Sequence, residues 1–200
     1  MIKWILISSL TFTGLISYGQ SKDQKKLEKL FLKQYCSCLG EDASLSPEII
    51  LYKKSSECII VFQNENAELM NEIIKEDYPK NTSISEQERL NDSGRRMVQN
   101  TIIDLVRTCG FYRNTLNKYK TNLINQLGVT KENAQQGIKE MIDGEKKIKD
   151  NQSLALYFTL LGVMHEYIND KKSAINYYDK ALKAHELTAT KGLRELLIAD

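Results

Sequence analysis

The sequence predicts an all-α protein: a helical bundle followed by a helix–turn–helix module and a C-terminal capping helix. Apolar residues recur at helical spacing over most of the chain. Only 2 prolines and 10 glycines occur in 200 residues, so few positions break a helix. No stretch of useful length alternates apolar and polar residues as a strand does. Long helices should therefore dominate.

The N-terminus has the pattern of a secretory signal. Lys3 precedes an almost uncharged run over residues 4–16, and Ser17 and Gly19 place small residues before a cleavage site. The run is shorter than the ~20 residues that span a bilayer as a helix. We expect residues 1–19 to be a cleaved signal peptide. The remaining chain would be periplasmic or secreted, with no integral membrane segment.

Cleavage would leave 181 residues (200 less 19), with 27 basic residues (28 less Lys3) and 26 acidic ones. That length is enough for a sizeable core, as one domain or two small ones. A broad nucleic-acid surface needs clustered Lys and Arg over a strongly basic face. The nearly neutral balance therefore argues against a nucleic-acid partner.

The first predicted region, residues 20–128, is a cysteine-containing helical bundle. Ser46-Pro47 opens either a short helix or an early start of the second helix. Apolar periodicity and capping residues predict four helices, over residues 22–38 with a stop at Gly40, from about residue 55 to Tyr78-Pro79, from the Ser85/Glu88 capping box to Cys109, and from Gly110 to Leu127. The third should bury Leu90, Met97, Ile102, Leu105, Val106 and Cys109.

The second predicted region, residues 129–200, begins with a bridge helix that Thr130 could cap. Gly137, Gly144 and a run of lysines make it the least apolar helix of the chain. The end of the region supplies an apolar set for a closing helix: Leu193, Leu196, Leu197 and Ile198.

The four cysteines predict two disulfides. An even number of cysteines in an exported chain favours disulfides. Cys36 and Cys38 point about 200° apart on a helix, so each should reach a different partner. Cys58 and Cys109 fall at the same end of the predicted bundle. We expect Cys38–Cys58 with Cys36–Cys109, and the exchange of partners, Cys36–Cys58 with Cys38–Cys109, remains open.

Other roles for the cysteines fit less well. A structural zinc site prefers C-x2-C spacing, and both histidines, His165 and His185, lie far along the chain. A thioredoxin-like site needs C-x-x-C at the start of a helix. A thiol-redox or metal-handling protein using Cys36 and Cys38 is kept as the alternative function.

No pattern in the sequence indicates catalysis. It contains no nucleophile elbow, glycine-rich phosphate loop, His-Glu-x-x-His or dinucleotide fingerprint. His165-Glu166 is an isolated pair. We therefore expect no enzyme activity, no catalytic residues, no metal ligands and no cofactor.

Residues 155–188, ALYFTLLGVMHEYINDKKSAINYYDKALKAHELT, carry small and aromatic residues at intervals that let two antiparallel helices approach closely. These are Phe158, Leu161-Gly162, Ala174, Tyr178 and Ala181, with Asn169-Asp170 at the turn. The segment resembles a tetratricopeptide repeat, a helix–turn–helix of about 34 residues. His165 and Glu186 depart from the pattern, where Tyr and Pro are usual. A degenerate repeat over 121–154 is left open.

The resemblance implies a partner-binding surface on the first helix of the repeat. Its outward positions are Leu156 and the four expected partner-binding residues, Thr159, Val163, Glu166 and Tyr167. Beside Glu166 they would suit a short peptide with a basic or amide group. Alternatively, Leu156 and Val163 pack against the bridge helix and line no groove.

The predicted function is non-catalytic protein–protein interaction by an exported scaffold or accessory protein, whose partner is another protein or peptide. A small exported inhibitor or immunity-type protein is a further alternative. A tight one-to-one complex with a single target would distinguish it from a general scaffold.

Overall fold

The structure, a computed structural model, describes residues 22–77 and 85–199. Within them the fold is entirely helical, without strands, which confirms the predicted class. The predicted signal peptide lies outside the described residues. The helices are α1 (Lys22–Gly40), α2 (Ser55–Glu65), α3 (Ala67–Asp77), α4 (Glu86–Thr108), α5 (Gly110–Leu127), α6 (Ala134–Gly144), α7 (Asn151–Tyr167), α8 (Lys171–Ala184) and α9 (Thr188–Ala199).

The predicted boundaries of α4 and α5 are confirmed. The Ser85 backbone N–H donates to Glu88 Oε2 over 2.9 Å, and the Ser85 side chain accepts from the Glu88 N–H, which completes the capping box. At Cys109 the backbone becomes extended, with φ −96° and ψ 93°, so α4 ends and α5 starts at Gly110. Gly128, in the left-handed region with φ 61°, ends α5.

The predicted second helix is two helices, α2 and α3, which corrects the single helix expected. The break is at Asn66, whose φ is −120° and ψ is 25°. Its side-chain amide donates to the Phe62 carbonyl over 2.9 Å and to Gln34 Oε1 over 3.1 Å. The Phe62 carbonyl also accepts from the Asn66 backbone N–H over 3.1 Å, so Asn66 closes the last turn of α2 with both its backbone and its side chain. The predicted end at Tyr78-Pro79 lies outside the described residues.

Helical backbone begins before α2, at Pro47. Of the two possibilities predicted for Ser46-Pro47, this is the early start of the second helix. Residues from Pro47 are helical, and Ile49–Lys54 form a π-helical segment that continues into α2. Ile50 and Leu51 of this segment are buried.

The bridge helix, α6, starts later than expected. Asn133 accepts a 2.8 Å hydrogen bond from the Thr130 N–H through its side-chain oxygen, which holds residues 131–133 as a turn. Thr130 is therefore not the N-cap, and α6 begins at Ala134. After Gly144 the chain forms a short 3-10 turn, Glu145–Lys147.

The buried apolar residues of the two predicted regions form one continuous core. α1 contributes Leu27, Phe31, Tyr35 and Leu39, spaced four residues apart along one face. The predicted inner face of α4 is buried from Met97 onward, while the Leu90 side chain lies outside the described part. The two regions therefore exclude water together.

In the C-terminal region, α7 and α8 pack closely as an antiparallel pair. Asn169, with φ 62°, forms the turn between them. A Cβ added at Gly162 would lie 2.5 Å from the Tyr178 ring, so only glycine permits this approach. α9 packs against α4, α5 and α8. It buries Leu193, Leu196 and Leu197 and leaves Ile198 exposed.

Candidate functional site: a groove between α5 and α7

The structure contains two disulfides, Cys36–Cys109 and Cys38–Cys58, with Cα atoms 5.8 Å apart in each. This is the first of the two pairings predicted. One bond ties α1 to the junction of α4 and α5, and the other ties α1 to α2. All four cysteines are used, and disulfides fit a protein of an oxidising compartment.

Aromatic residues surround these disulfides. Tyr35 precedes Cys36, stacks on Phe31 with centroids 4.8 Å apart, and shares a 2.6 Å hydrogen bond with Ser55. Burial raises the pKa of Tyr35 to about 12, against the opposing effect of the Ser55 hydrogen bond. Phe62 meets Phe31 edge to face at 5.1 Å. In the stretch YCSCLG, Tyr35 and Leu39 are therefore buried in the core and both cysteines are cross-linked, while Ser37 is exposed.

Two of the four expected partner-binding residues are buried, which corrects their placement on an open surface. Thr159 is 2% exposed, and its Oγ1 shares a 2.7 Å hydrogen bond with Thr190 Oγ1 of α9. Val163 is 0% exposed. They are covered because α5 packs against α7, and because the Thr190 hydroxyl of α9 reaches Thr159. Leu156 is 40% exposed, so it points outward as expected.

The other two, Glu166 and Tyr167, line a groove between α7 and α5, with Val163 at its floor. The groove encloses about 430 Å³. The end of α5 and the turn after it form the opposite wall, through Lys120, Thr121, Ile124, Asn125, Val129 and Lys131.

Glu166 is already engaged within the protein. Its Oε1 forms an ion pair with the Lys120 ammonium, and its Oε2 accepts a 3.0 Å hydrogen bond from the Tyr178 hydroxyl. Burial, and then the Glu166 charge, raise the pKa of Tyr178 well above its ordinary value, so this hydroxyl stays a donor. The expectation that Glu166 would meet a basic or amide group of a partner is therefore not supported by the geometry.

Lys131 also lines the groove, and its charge is available to a partner because, unlike Lys120, it is not paired with Glu166. It is exposed and makes no ion pair with any residue of 22–77 or 85–199. Since the Lys120 and Glu166 charges cancel, the lining residues carry one net positive charge, although Glu132, which does not line the groove, lies close enough to interact with Lys131. Apolar side chains stand beside it, at Val129, Ile124 and Tyr167.

The α5 wall of this groove was not predicted from the sequence. The helix was predicted, but its outward residues have the same sequence pattern whether they face water or another helix.

Among the described residues, no three His, Cys, Asp or Glu side chains come together as a metal site would require. Within the same residues, no helix is both long and apolar enough to cross a membrane.

No protein-family model matches this chain, and no curated protein or solved structure is detectably similar to it.

Proposed function

We propose that this chain is an exported, non-catalytic binding protein that holds a segment of another protein in the groove between α5 and α7. One observation carries the proposal: the groove combines apolar walls with Lys131, a lining cation that forms no ion pair within residues 22–77 and 85–199. Its volume of about 430 Å³ is within the ~300–1,000 Å³ usual for ligand pockets. Such a site can bury an apolar side chain and pair with one negative charge.

Export is supported by two independent features. The first 19 residues have the pattern of a signal peptide. Both disulfides would persist only where thiols are not kept reduced. The periplasm or the extracellular space satisfies both requirements.

The helix pair α7–α8 supports a role in protein binding through its resemblance to a tetratricopeptide repeat. The matching residues Phe158, Ala174, Tyr178 and Ala181 are all buried between or beside the two helices. In such repeats the first helix faces the partner, and here that helix, α7, supplies Tyr167 to the groove. α5 closes the other side, so the groove is narrower than an open array of repeats would present.

The partner segment would carry an apolar side chain next to a carboxylate. The apolar group would contact Tyr167, Ile124 and Val129, while the carboxylate would pair with Lys131. A basic group would meet an already neutralised Glu166 and an unpaired lysine, which disfavours it.

Site-specific photo-cross-linking in the producing cells tests this function. A photoreactive residue at Asn125, in the groove, should give one discrete adduct with a second protein. The same residue at Lys172, exposed on α8 and away from the groove, should not. The adduct partner would then be purified and its affinity for the unmodified chain measured.

The charge of the groove gives the second arm of the test. Lys131→Glu should weaken that complex about tenfold or more, because it replaces attraction by repulsion. Lys146→Glu, a matched change of an exposed lysine outside the groove, should leave the affinity unchanged. Equal adducts at Asn125 and Lys172, or equal effects of the two substitutions, would contradict the proposal.

The thiol-redox alternative requires free cysteines, whereas both pairs here are closed. Alkylation of the exported protein before reduction separates the two functions. Unlabelled Cys36 and Cys38 are expected, and labelled thiols at these positions would favour the alternative.

A further inference from the structure

α1 presents a second surface, unrelated to the groove. Over residues 24–40, the exposed side chains are four lysines and one serine: Lys25, Lys26, Lys29, Lys33 and Ser37. At 3.6 residues per turn, the four lysines fall within an arc of about 100° and extend about 12 Å along the helix. We call these four residues the lysine face.

The charges of the lysine face are hardly neutralised by the protein. None of the four makes an ion pair with a residue that the structure describes. Lys25 lies near Glu28, whose pKa is raised by burial and by Asp104 despite this lysine. For Lys26, Lys29 and Lys33, no carboxylate within ion-pair distance is found among residues 22–77 and 85–199.

The lysine face stands on a rigid support. The opposite side of α1 is buried through Phe31, Tyr35 and Leu39, and its last turns hold Cys36 and Cys38 in disulfides. A fixed helix presents its lysines on one face. Binding therefore does not lose the conformational entropy that ordering a flexible basic tail would cost.

We propose that the lysine face holds this protein against an anionic phospholipid surface as a peripheral contact. A flat layer of headgroups needs positive charge but no specific register, which matches lysines in a row. A protein interface would need apolar, aromatic or arginine residues at its centre, and this surface shows none of them.

A nucleic-acid partner fits the same surface less well. A duplex needs a broad basic face, whereas the depression beside the lysine face is lined by Glu57 and Glu65. A helix resting on a flat membrane touches it only along its outward arc, so those carboxylates stay away from the headgroups.

Vesicle sedimentation tests the inference with the oxidised exported chain. The protein should bind vesicles rich in phosphatidylglycerol and not vesicles of phosphatidylcholine alone. Binding should fall when salt is raised from about 0.15 M to about 1 M, where the Debye length shrinks from about 8 Å to about 3 Å. The combined change Lys26→Gln, Lys29→Gln and Lys33→Gln should weaken binding on the order of 100-fold, about fivefold per lysine.

The matched control removes the same number of charges elsewhere. Lys146, Lys147 and Lys149 are also exposed and close together in sequence. Changing these three to Gln should leave vesicle binding within about twofold of the unchanged protein, because they lie outside the lysine face. Equal losses in both triple variants would overturn the inference in favour of total charge. Binding to soluble polyglutamate or DNA but not to vesicles would also overturn it.

Discussion

The two ends of this molecule bring helices together in different ways. In the N-terminal region, α1 is bonded covalently to α2 and to the α4–α5 junction, 20 and 73 residues away in sequence. In the C-terminal region, α7 and α8 follow one another and approach through Gly162, against the Tyr178 ring. Distant helices are held by disulfides here, while consecutive helices are held by complementary shape.

The groove lies between a helix of the disulfide-linked region, α5, and a helix of the closely packed pair, α7. α5 starts beside the disulfide-bonded Cys109, whose sulfur also accepts a 3.4 Å hydrogen bond from the Tyr112 N–H at the start of that helix. α7 belongs to the closely packed pair. The Lys120–Glu166 ion pair and the Lys120 side of α5 therefore depend on both regions keeping their positions.

The largest expected effect comes from opening the disulfides one at a time. In the chain-entropy model, the 73-residue separation of Cys36 and Cys109 contributes about 4 kcal/mol, and the 20-residue separation of Cys38 and Cys58 about 3 kcal/mol. Replacing each pair by alanine and measuring urea unfolding should reproduce this order. A larger loss for Cys38→Ala with Cys58→Ala would show that local packing outweighs loop length.

The N-terminal core should also lose stability in alkali. An unfolded tyrosine loses its proton near pH 10, whereas Tyr35 keeps its proton to a pKa of about 12. The folded state therefore binds more protons above pH 10, and Tyr35 alone lowers the free energy of unfolding by about 3 kcal/mol between pH 10 and 12. It is unaffected by this group below pH 10.

Denaturant unfolding at a series of pH values from about 8 to about 11.5 checks this slope. Tyr35→Phe should be less stable at neutral pH, because Ser55 loses its hydrogen-bond partner. Above pH 10, its free energy of unfolding should fall less steeply with pH than that of the unchanged protein. An unchanged alkaline slope in that variant would exclude Tyr35 as its source.

The C-terminal region should be sensitive to a single methyl group. Gly162→Ala places a Cβ 2.5 Å from the buried Tyr178 ring. Overpacking of this kind costs about 1–3 kcal/mol, offset by about 1 kcal/mol of helix propensity. We expect a net loss of up to about 2 kcal/mol in thermal or urea unfolding.

Gly110→Ala is the matched control, since a Cβ there meets no heavy atom within 4 Å. It should leave stability unchanged or slightly higher. If both substitutions are neutral, the close packing of α7 on α8 is not what holds this region together.

The smallest effect concerns the hydroxyl pair between α7 and α9. Thr159→Val leaves the Thr190 hydroxyl without its partner in a buried place and should cost about 1 kcal/mol. Adding Thr190→Val should restore part of that loss. A double-mutant cycle in urea measures the coupling, and a coupling near zero would mean that α9 is held by its leucines alone.

Much of the fold could be predicted because its causes are local. The capping box at Ser85 and the break before Gly110 depend on side chains within a few residues, so the sequence contains the whole interaction. The division of the second helix at Asn66 was not predictable in this way. That residue also bonds Gln34, 32 residues away, and only the packed fold places the two together.

The candidate site was predictable only in part. The repeat pattern located α7 and named Glu166 and Tyr167, which line the groove. It placed Thr159 and Val163 on the surface, because a repeat pattern does not say which helices pack on its open side. Lys131 is a single exposed lysine, and no sequence pattern distinguishes it from other surface lysines, so its place in the groove could not be predicted.

The sequence by itself determined the helical class, most helix ends, the number of disulfides and the close pairing of α7 with α8. These follow from periodicity, caps, cysteine count and small residues, all of which act between neighbours in the chain. Only the tertiary structure decided that α5 packs on α7, and hence where the groove lies and that Glu166 is neutralised. Such contacts join residues far apart in sequence, such as Lys120 and Glu166, so their energies are set by the packed arrangement of the helices.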